Sequence, residues 1–180
     1  DNNSFFWLSR ETSILINNWF MMYFLSVVLI GTTYPIFLEV MSSEKISVGP
    51  PFFNKLIIPF LIPFLLIMAI GPKLKWIKSD LKNKTYLLLF LFISFLFSAL
   101  IIKSLNVSFL MNTIMVTSAF YLFFITLRDF FIMRSKNLSQ NLSHFGFSLL
   151  ILSILFNNIL STEIITNLKI GETFESEKFK

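Results

Sequence analysis

The sequence predicts an all-α integral membrane protein with about five transmembrane helices. Of its 180 residues, 55% are hydrophobic and 14% are charged, and the mean hydropathy is +0.75, whereas soluble domains carry about 25% charged residues. The charged residues lie between long apolar runs. These runs are continuous rather than alternating, and in lipid a continuous run satisfies its backbone hydrogen bonds as a helix.

Five apolar runs are long enough to cross a bilayer, which takes about 20 residues. The predicted spans are residues 14–38, 56–72, 86–102, 107–127 and 143–160. The second span contains Pro59 and Pro63, which predict a bend or an irregular first turn. No acidic residue falls inside these predicted limits, which argues against a proton pump or an ion transporter.

The basic residues predict the orientation of the spans. If the spans alternate in direction, nine Lys and Arg residues fall on the side of the N-terminus and three fall between spans on the other side. The nine are Arg10, Lys73, Lys75, Lys78, Lys82, Lys84, Arg128, Arg134 and Lys136, and the three are Lys45, Lys55 and Lys103. Because inner loops are enriched in Lys and Arg, we expect the N-terminus inside. The net charge is +5, but these basic residues lie at the ends of spans, which argues against nucleic-acid binding.

The tail of the chain differs in composition from the spans. Residues 164–174 are rich in β-branched residues and include Gly171, a pattern that favours a strand and a turn. We therefore interpret residues 1–160 as a transmembrane helical domain. Residues 161–180 are then the start of a β-prone segment on the outer face.

His144 is the single histidine of the chain, and there is no cysteine. Disulfides and thiolate metal sites within the chain are therefore excluded. At the start of the last span, a neutral imidazole can bind haem iron, shuttle a proton or bond to another helix, and the pattern leaves these alternatives open. Gln140 and Ser148 lie one turn away on the same predicted face. Gly146 is predicted to allow close approach of a backbone or a flat ring.

A loop predicted on the outer face contains glycine followed by two prolines, which predicts a stiff turn. The two phenylalanines beside it can lie on the membrane surface or clasp a flat apolar ligand. The candidate surface residues of this loop are Ser47, Gly49, Pro50, Pro51, Phe52, Phe53 and Asn54.

Arg10 and Glu11 precede the first predicted span. They are a candidate interface pair, able to bond to partners on neighbouring helices. The alternative is an orientation anchor followed by an acidic residue that the helix dipole favours in the first turn.

Hydroxyl residues recur at helical spacing in two spans, which indicates helix packing rather than a polar path. They are Ser94 and Ser98 in one span, and Thr113, Thr117 and Tyr121 in the next. Nucleophile-elbow, Walker A and dinucleotide-binding motifs are absent from the sequence.

Several short segments follow one another in a characteristic order. They are Ser9–Glu11 with Asn17–Asn18, Gly31–Pro35, Ile46–Asn54, Gly71–Trp76, Ser143–Gly146 and Leu168–Thr173. Their order and spacing resemble the C-terminal part of the CcmF family, large membrane proteins of cytochrome c maturation in the haem-handling superfamily. The resemblance covers nearly all of the chain, and Gly31–Pro35 and Ile46–Asn54 are its most specific parts.

The resemblance implies a part in joining haem vinyl groups to the cysteine thiols of apocytochrome c on the outer face of the membrane. It implies that His144 is one axial ligand of a haem b held between membrane helices, with Gly146 and Ser148 beside it. This haem is expected to help keep the incoming haem reduced. The loop Ser47–Asn54 is expected to help shape the surface where haem and apocytochrome c meet.

The chain lacks elements that the family pattern includes: a second axial histidine, a tryptophan-rich outer segment and two outer histidines. The resemblance therefore implies a subunit that works with other fragments of the same haem lyase, a haem chaperone and apocytochrome c. The second axial ligand would come from another chain. The Phe-, Ile- and Asn-rich composition is typical of an organelle genome, so we expect a split version in the mitochondrial inner membrane, with a bacterial inner membrane as the alternative.

Two functional hypotheses from different classes follow. The first is a subunit of a cytochrome c haem lyase that is not catalytic alone. The second is a structural membrane subunit, bound to respiratory-complex subunits, that retains the fold without haem. A small-molecule transporter segment is disfavoured by the expected lack of charge inside the spans.

Overall fold

The computed structural model describes residues 9–42, 47–77, 85–105, 108–132 and 138–161. Within these ranges it forms α1 (Arg10–Ser42), α2 (Pro50–Ile70), α3 (Thr85–Ser104), α4 (Phe109–Ile132) and α5 (Leu138–Leu160), with a 3₁₀ turn at Gly71–Lys73. All five helices are long and apolar enough to cross a membrane. The predicted all-α class with about five candidate spans is thus confirmed, whereas the predicted strand and turn at residues 164–174 lie outside the described residues.

A side-chain cap begins α1 before its apolar run starts. The Ser9 hydroxyl accepts a hydrogen bond from the backbone N–H of Thr12 at 3.1 Å, which satisfies one of the free N–H groups of the first turn. Glu11 lies in that turn, where the helix dipole favours a negative charge. The helix therefore begins at Arg10, four residues before the predicted span.

The glycine–proline–proline segment begins α2, so its interpretation as a turn within a loop was wrong. Gly49 is the N-cap with an extended backbone, and Pro50 and Pro51 occupy the first helical positions. Proline is favoured there because its fixed φ suits a helix and its missing N–H would have no partner in the first turn. The helix then continues through Pro59 and Pro63 to Ile70.

Helix α4 lies at the centre of the bundle. It packs against α2, α3 and α5, whereas α1 packs against α2 and the 3₁₀ turn. The buried apolar side chains of α4 are Met115, Val116, Ala119, Phe120, Leu122 and Ile125. Since lipid is as apolar as these side chains, close packing rather than removal from water holds such helices together.

Four of the five hydroxyl residues predicted to pack in α3 and α4 are buried, which supports the packing interpretation, whereas Thr117 is half-buried. Ser94 and Ser98 are fully buried, and Thr113 and Tyr121 are nearly so. Ser94 donates to the carbonyl of Phe90, and Ser98 to that of Ser94, each at 2.7 Å. Bonding within the helix satisfies a hydroxyl donor that lipid could not satisfy.

A hydrogen bond joins α1 to α2. The Tyr23 hydroxyl donates to the backbone carbonyl of Leu56 at 3.1 Å, and its ring centroid lies 4.3 Å from that of Phe60. We expect Tyr23→Phe to lower the free energy of unfolding by about 0.5–1.5 kcal/mol, because the ring contact remains and only the hydrogen bond is lost. Tyr34→Phe, at an exposed position of the same helix, is the control. Equal effects of the two changes on unfolding in detergent would contradict the prediction.

Candidate functional site

A pocket of about 400 Å³ lies where the beginning of α1, the end of α2 and the beginning of α5 meet. Its apolar walls come from Ile14, Met21, Phe64, Ile67, Met68 and Phe147. Its polar side chains are Arg10, Ser13, Asn17, Gln140 and His144. An apolar pocket with few polar groups, in the size range of about 300–1,000 Å³, is typical of a site for a small molecule or a cofactor.

His144 lies on the wall of this pocket, in the second turn of α5. Its side chain is half-buried. Gln140, one turn earlier, and Phe147, nearly one turn later, line the same pocket. Lys73 lies within electrostatic reach of the imidazole. The imidazole is therefore accessible to a ligand inside a largely apolar space.

Arg10 lines the same pocket from the first turn of α1. Its backbone N–H donates to the carbonyl of Lys75 at 2.8 Å. Its guanidinium carbon lies 5.1 Å from the ring centroid of Trp76, within the range of a cation–π contact. Arg10 lines the pocket and Glu11 is exposed in the first turn of α1. Their predicted role as an interface pair stays a prediction.

A buried carboxylate beside the pocket corrects the expectation that no acidic residue lies within a span. Asp129 is inside α4 and is 4% exposed. It pairs with Lys73 of the 3₁₀ turn, and its other oxygen lies 3.5 Å from Arg128. The Arg128 guanidinium stacks on the Tyr86 ring of α3 at 3.9 Å. The helix extends five residues beyond the predicted end of this span, at 127, and so includes the charge.

Two residues predicted to contact a cofactor lie away from the pocket. Ser148 is fully buried and donates to the carbonyl of Phe145 at 2.7 Å. Gly146 is exposed, and a Cβ added to it would meet no atom within 4 Å. Two residues beyond His144 correspond to about 200° around a helix, so Gly146 points away from the pocket. Among the described residues, neither Gly146 nor Ser148 therefore lines the pocket together with His144.

The predicted outer-loop residues lie at the far end of α2 from the pocket. Twenty-two residues separate Gly49 from Gly71, which is about 30 Å at the rise of an α-helix. There the rings of Phe52 and Phe53 lie against Gly31 of α1. The two most specific segments of the resemblance, Gly31–Pro35 and Ile46–Asn54, thus meet in the structure. They form a surface separate from the pocket.

The donor set of the pocket fits a haem better than a bare metal ion. Among the described residues, no three His, Cys, Asp or Glu side chains lie together as ligands for a metal. A haem supplies four ring nitrogens and takes an imidazole as axial ligand. His144 offers that imidazole, and Phe64, Met68 and Phe147 offer apolar contact to a ring.

A second pocket of about 390 Å³ lies between α2, α3 and α4. Its lining is aliphatic and aromatic apart from Thr117 and Ser118. Both hydroxyls bond to carbonyls of their own helix. Because its lining includes no ionisable group, the pocket beside His144 is the better candidate for chemistry.

Fold and pocket together define a class: a helical membrane protein with one accessible imidazole in an apolar pocket near one end of its bundle. No family model matches the chain. The chain is 42% identical to the cytochrome c-type biogenesis protein CcmF of Pseudomonas fluorescens over 74 residues. This aligned stretch covers 41% of this chain and 11% of that protein. It is 26% identical to CcmF of Escherichia coli over 187 aligned positions, covering 99% of this chain and 29% of that protein.

A solved structure of the cytochrome c haem lyase CcmF matches 85% of this chain, with a TM-score of 0.60 and 27% identity. The match covers 26% of that structure's chain. The chain is a homologue of the CcmF proteins that corresponds to a portion of their length. The resemblance in the sequence is thereby confirmed. The chain spans about three tenths or less of the curated relatives it matches.

Proposed function

We propose that this chain is a subunit of a cytochrome c haem lyase and that His144 is one axial ligand of a membrane haem b. The observation that carries the proposal is the half-buried imidazole on the wall of an apolar pocket of about 400 Å³. It occurs in a chain related to CcmF over nearly its whole length. A bound haem would supply one-electron redox chemistry at its iron.

The residues of the pocket have distinct roles in this proposal. His144 would present Nε2 to the iron, and a hydrogen bond to its other ring nitrogen would fix the imidazole, as is usual for an iron-binding histidine. Phe64 and Phe147 line the pocket and would exclude water and contact the macrocycle. A second axial histidine would come from another chain.

The proposed partners would carry the elements of the CcmF pattern that this chain does not match, since it aligns with 29% of the Escherichia coli protein. Other fragments of the same lyase would carry the tryptophan-rich segment and the remaining histidines. A haem chaperone would deliver haem, and apocytochrome c would supply the thiols. The cluster at Phe52 and Phe53 would help shape the outer surface where they meet, supported by the 39% exposure of Phe52.

The proposed location is the mitochondrial inner membrane, as part of a split lyase, with a bacterial inner membrane as the alternative. The bias of basic residues supports an N-terminus on the inner side. The pocket shares its end of the bundle with Arg10 and Lys73, so the haem would lie toward the inner face, away from the site of attachment.

Difference spectroscopy tests the axial ligand. The full-length protein, purified with its native partner chains, is expected to show a low-spin b-type band in the reduced-minus-oxidised spectrum. His144→Ala should lose nearly all of it, and added imidazole should restore part of the band in His144→Gly. Ser143→Ala, at an exposed neighbouring position, is the control and should keep the band.

Two results would count against the proposal. An unchanged band in His144→Ala would mean that the ligand lies elsewhere. No haem in the wild-type assembly, with the chain tightly bound among respiratory subunits, would instead favour the structural-subunit hypothesis.

A further inference from the structure

Arg10 and His144 lie on one pocket, and the proposed axial ligation uses His144 alone. The other walls are mainly apolar. A guanidinium remains charged at every pH that a protein tolerates. In surroundings with few water molecules, its attraction to an anion is much stronger than in bulk solvent.

Three contacts hold Arg10 in place before any ligand binds. The Ser9 cap orders the first turn of α1. The Arg10 N–H bonds to the carbonyl of Lys75. Trp76 lies against the guanidinium at 5.1 Å, and such stacking leaves the N–H groups at the edge of the guanidinium plane available to an acceptor. The side chain therefore loses little freedom when it binds.

The other cation beside the pocket is already engaged by protein. Lys73 pairs with the buried carboxylate of Asp129. Arg10 takes part in neither of the two ion pairs that Asp129 makes with Lys73 and Arg128. Among the described residues that line the pocket, Arg10 is the cation that can bind an anionic ligand.

We propose that Arg10 binds a carboxylate of the ligand that occupies the His144 pocket. The inference rests on the proposed function, because it names the group of the porphyrin that this chain recognises: a propionate. Guanidinium and carboxylate form two parallel hydrogen bonds. Arg10 would thus set the orientation of the macrocycle, while His144 binds at its centre.

Metal-free protoporphyrin IX and its dimethyl ester separate this contact from iron ligation. Both are titrated by fluorescence quenching into the full-length protein, purified with its partner chains and stripped of haem. The wild type should bind the free acid about tenfold more tightly than the ester, equivalent to about 1.4 kcal/mol. Arg10→Gln should abolish that preference and leave affinity for the ester unchanged, which also shows that the pocket has kept its fold.

Two further variants sharpen the test. Arg10→Lys should keep part of the preference, because a point charge remains but the fork of donors is lost. Lys55→Gln removes an exposed charge at the far end of α2. This variant should keep the whole preference for the free acid over the ester. His144→Ala should retain the preference, since no iron is present.

The outcomes separate this inference from the proposed haem ligation. An acid preference that persists in Arg10→Gln overturns the inference and leaves ligation by His144 standing. If that variant instead loses a bound anionic phospholipid in native mass spectrometry, the anion is a lipid phosphate and the inference is also overturned. An Arg10-dependent preference, together with a haem spectrum unchanged in His144→Ala, supports the inference and overturns the ligation. Failure of the wild type to bind either porphyrin overturns the inference, and the haem spectrum of His144→Ala decides the ligation separately.

Discussion

Asp129→Leu is expected to lower the free energy of unfolding by about 3–5 kcal/mol, the largest loss of stability predicted for this protein. Asp129 is 4% exposed, and the Lys73 side chain is 9% exposed. The change takes a carboxylate away from a buried ammonium, which then lacks the charge that offset its desolvation. The cost is therefore far above the value of about 0–1 kcal/mol for an exposed pair. Urea titration in detergent, followed by circular dichroism, measures it.

A double variant separates the missing charge from the missing volume. Asp129→Leu combined with Lys73→Met removes both charges, and replacing a buried ion pair with apolar residues is often nearly neutral. We therefore expect it to regain most of the lost stability. Glu11→Ala removes an exposed carboxylate and should change stability by about 0.5 kcal/mol or less. A double variant as unstable as Asp129→Leu would show that the loss does not come from an unpaired Lys73 ammonium.

Gly71→Leu is expected to lower the free energy of unfolding by about 1–3 kcal/mol, the cost of overpacking a filled contact. Gly71 is buried where the 3₁₀ turn meets α1. A Cβ placed there would overlap the Ser13 hydroxyl, and it would lie 3.4 Å from the Ser13 Cβ. The larger side chain must push α1 away from the turn. Because Gly71 and Ser13 both line the His144 pocket, we also expect weaker porphyrin binding.

Gly146→Leu is the matched control for this change. It introduces the same side chain into a helix, at a position where a Cβ meets nothing within 4 Å. In the chain alone it should be neutral or stabilise by up to about 1 kcal/mol, since leucine favours a helix more than glycine does. Equal destabilisation by the two changes would contradict the close contact at Gly71. Destabilisation by Gly146→Leu only in the complex would show that another chain packs on that face.

Much of the architecture was predictable because membrane spans obey a local rule. A run of about 20 apolar residues must form a helix in lipid, whatever its neighbours are. The ends of the runs were harder to place. The apolar run continues after Asp129 with Phe130, Phe131 and Ile132. The predicted span nevertheless ended at residue 127, because the charged pair of Arg128 and Asp129 was taken as the end of the run. The signal for Asp129 was therefore present, and its partner Lys73 could not be identified from a position 56 residues away.

The candidate site was predictable in part. The chain has no cysteine, so its composition alone excluded a thiolate ligand for a metal. Because it has a single histidine, any imidazole ligand from this sequence is His144. The presumed companions of His144 were less certain, because a shared helix face does not say which neighbour covers it. Ser148 faces protein and Gly146 faces open space. Gln140 lines the pocket with His144 as its helix face predicted, and Arg10 joins them from a helix at the other end of the chain.

The amino-acid sequence alone determined the helical membrane class, the approximate positions of five spans and the identity of the one imidazole. These depend on composition and on periodicity along the chain. Only the tertiary structure decided that Arg10 faces His144 across a pocket, that Lys73 neutralises Asp129, and that two prolines begin a helix. The first two depend on which helix ends meet, and such contacts arise from the packing of side chains far apart in the chain.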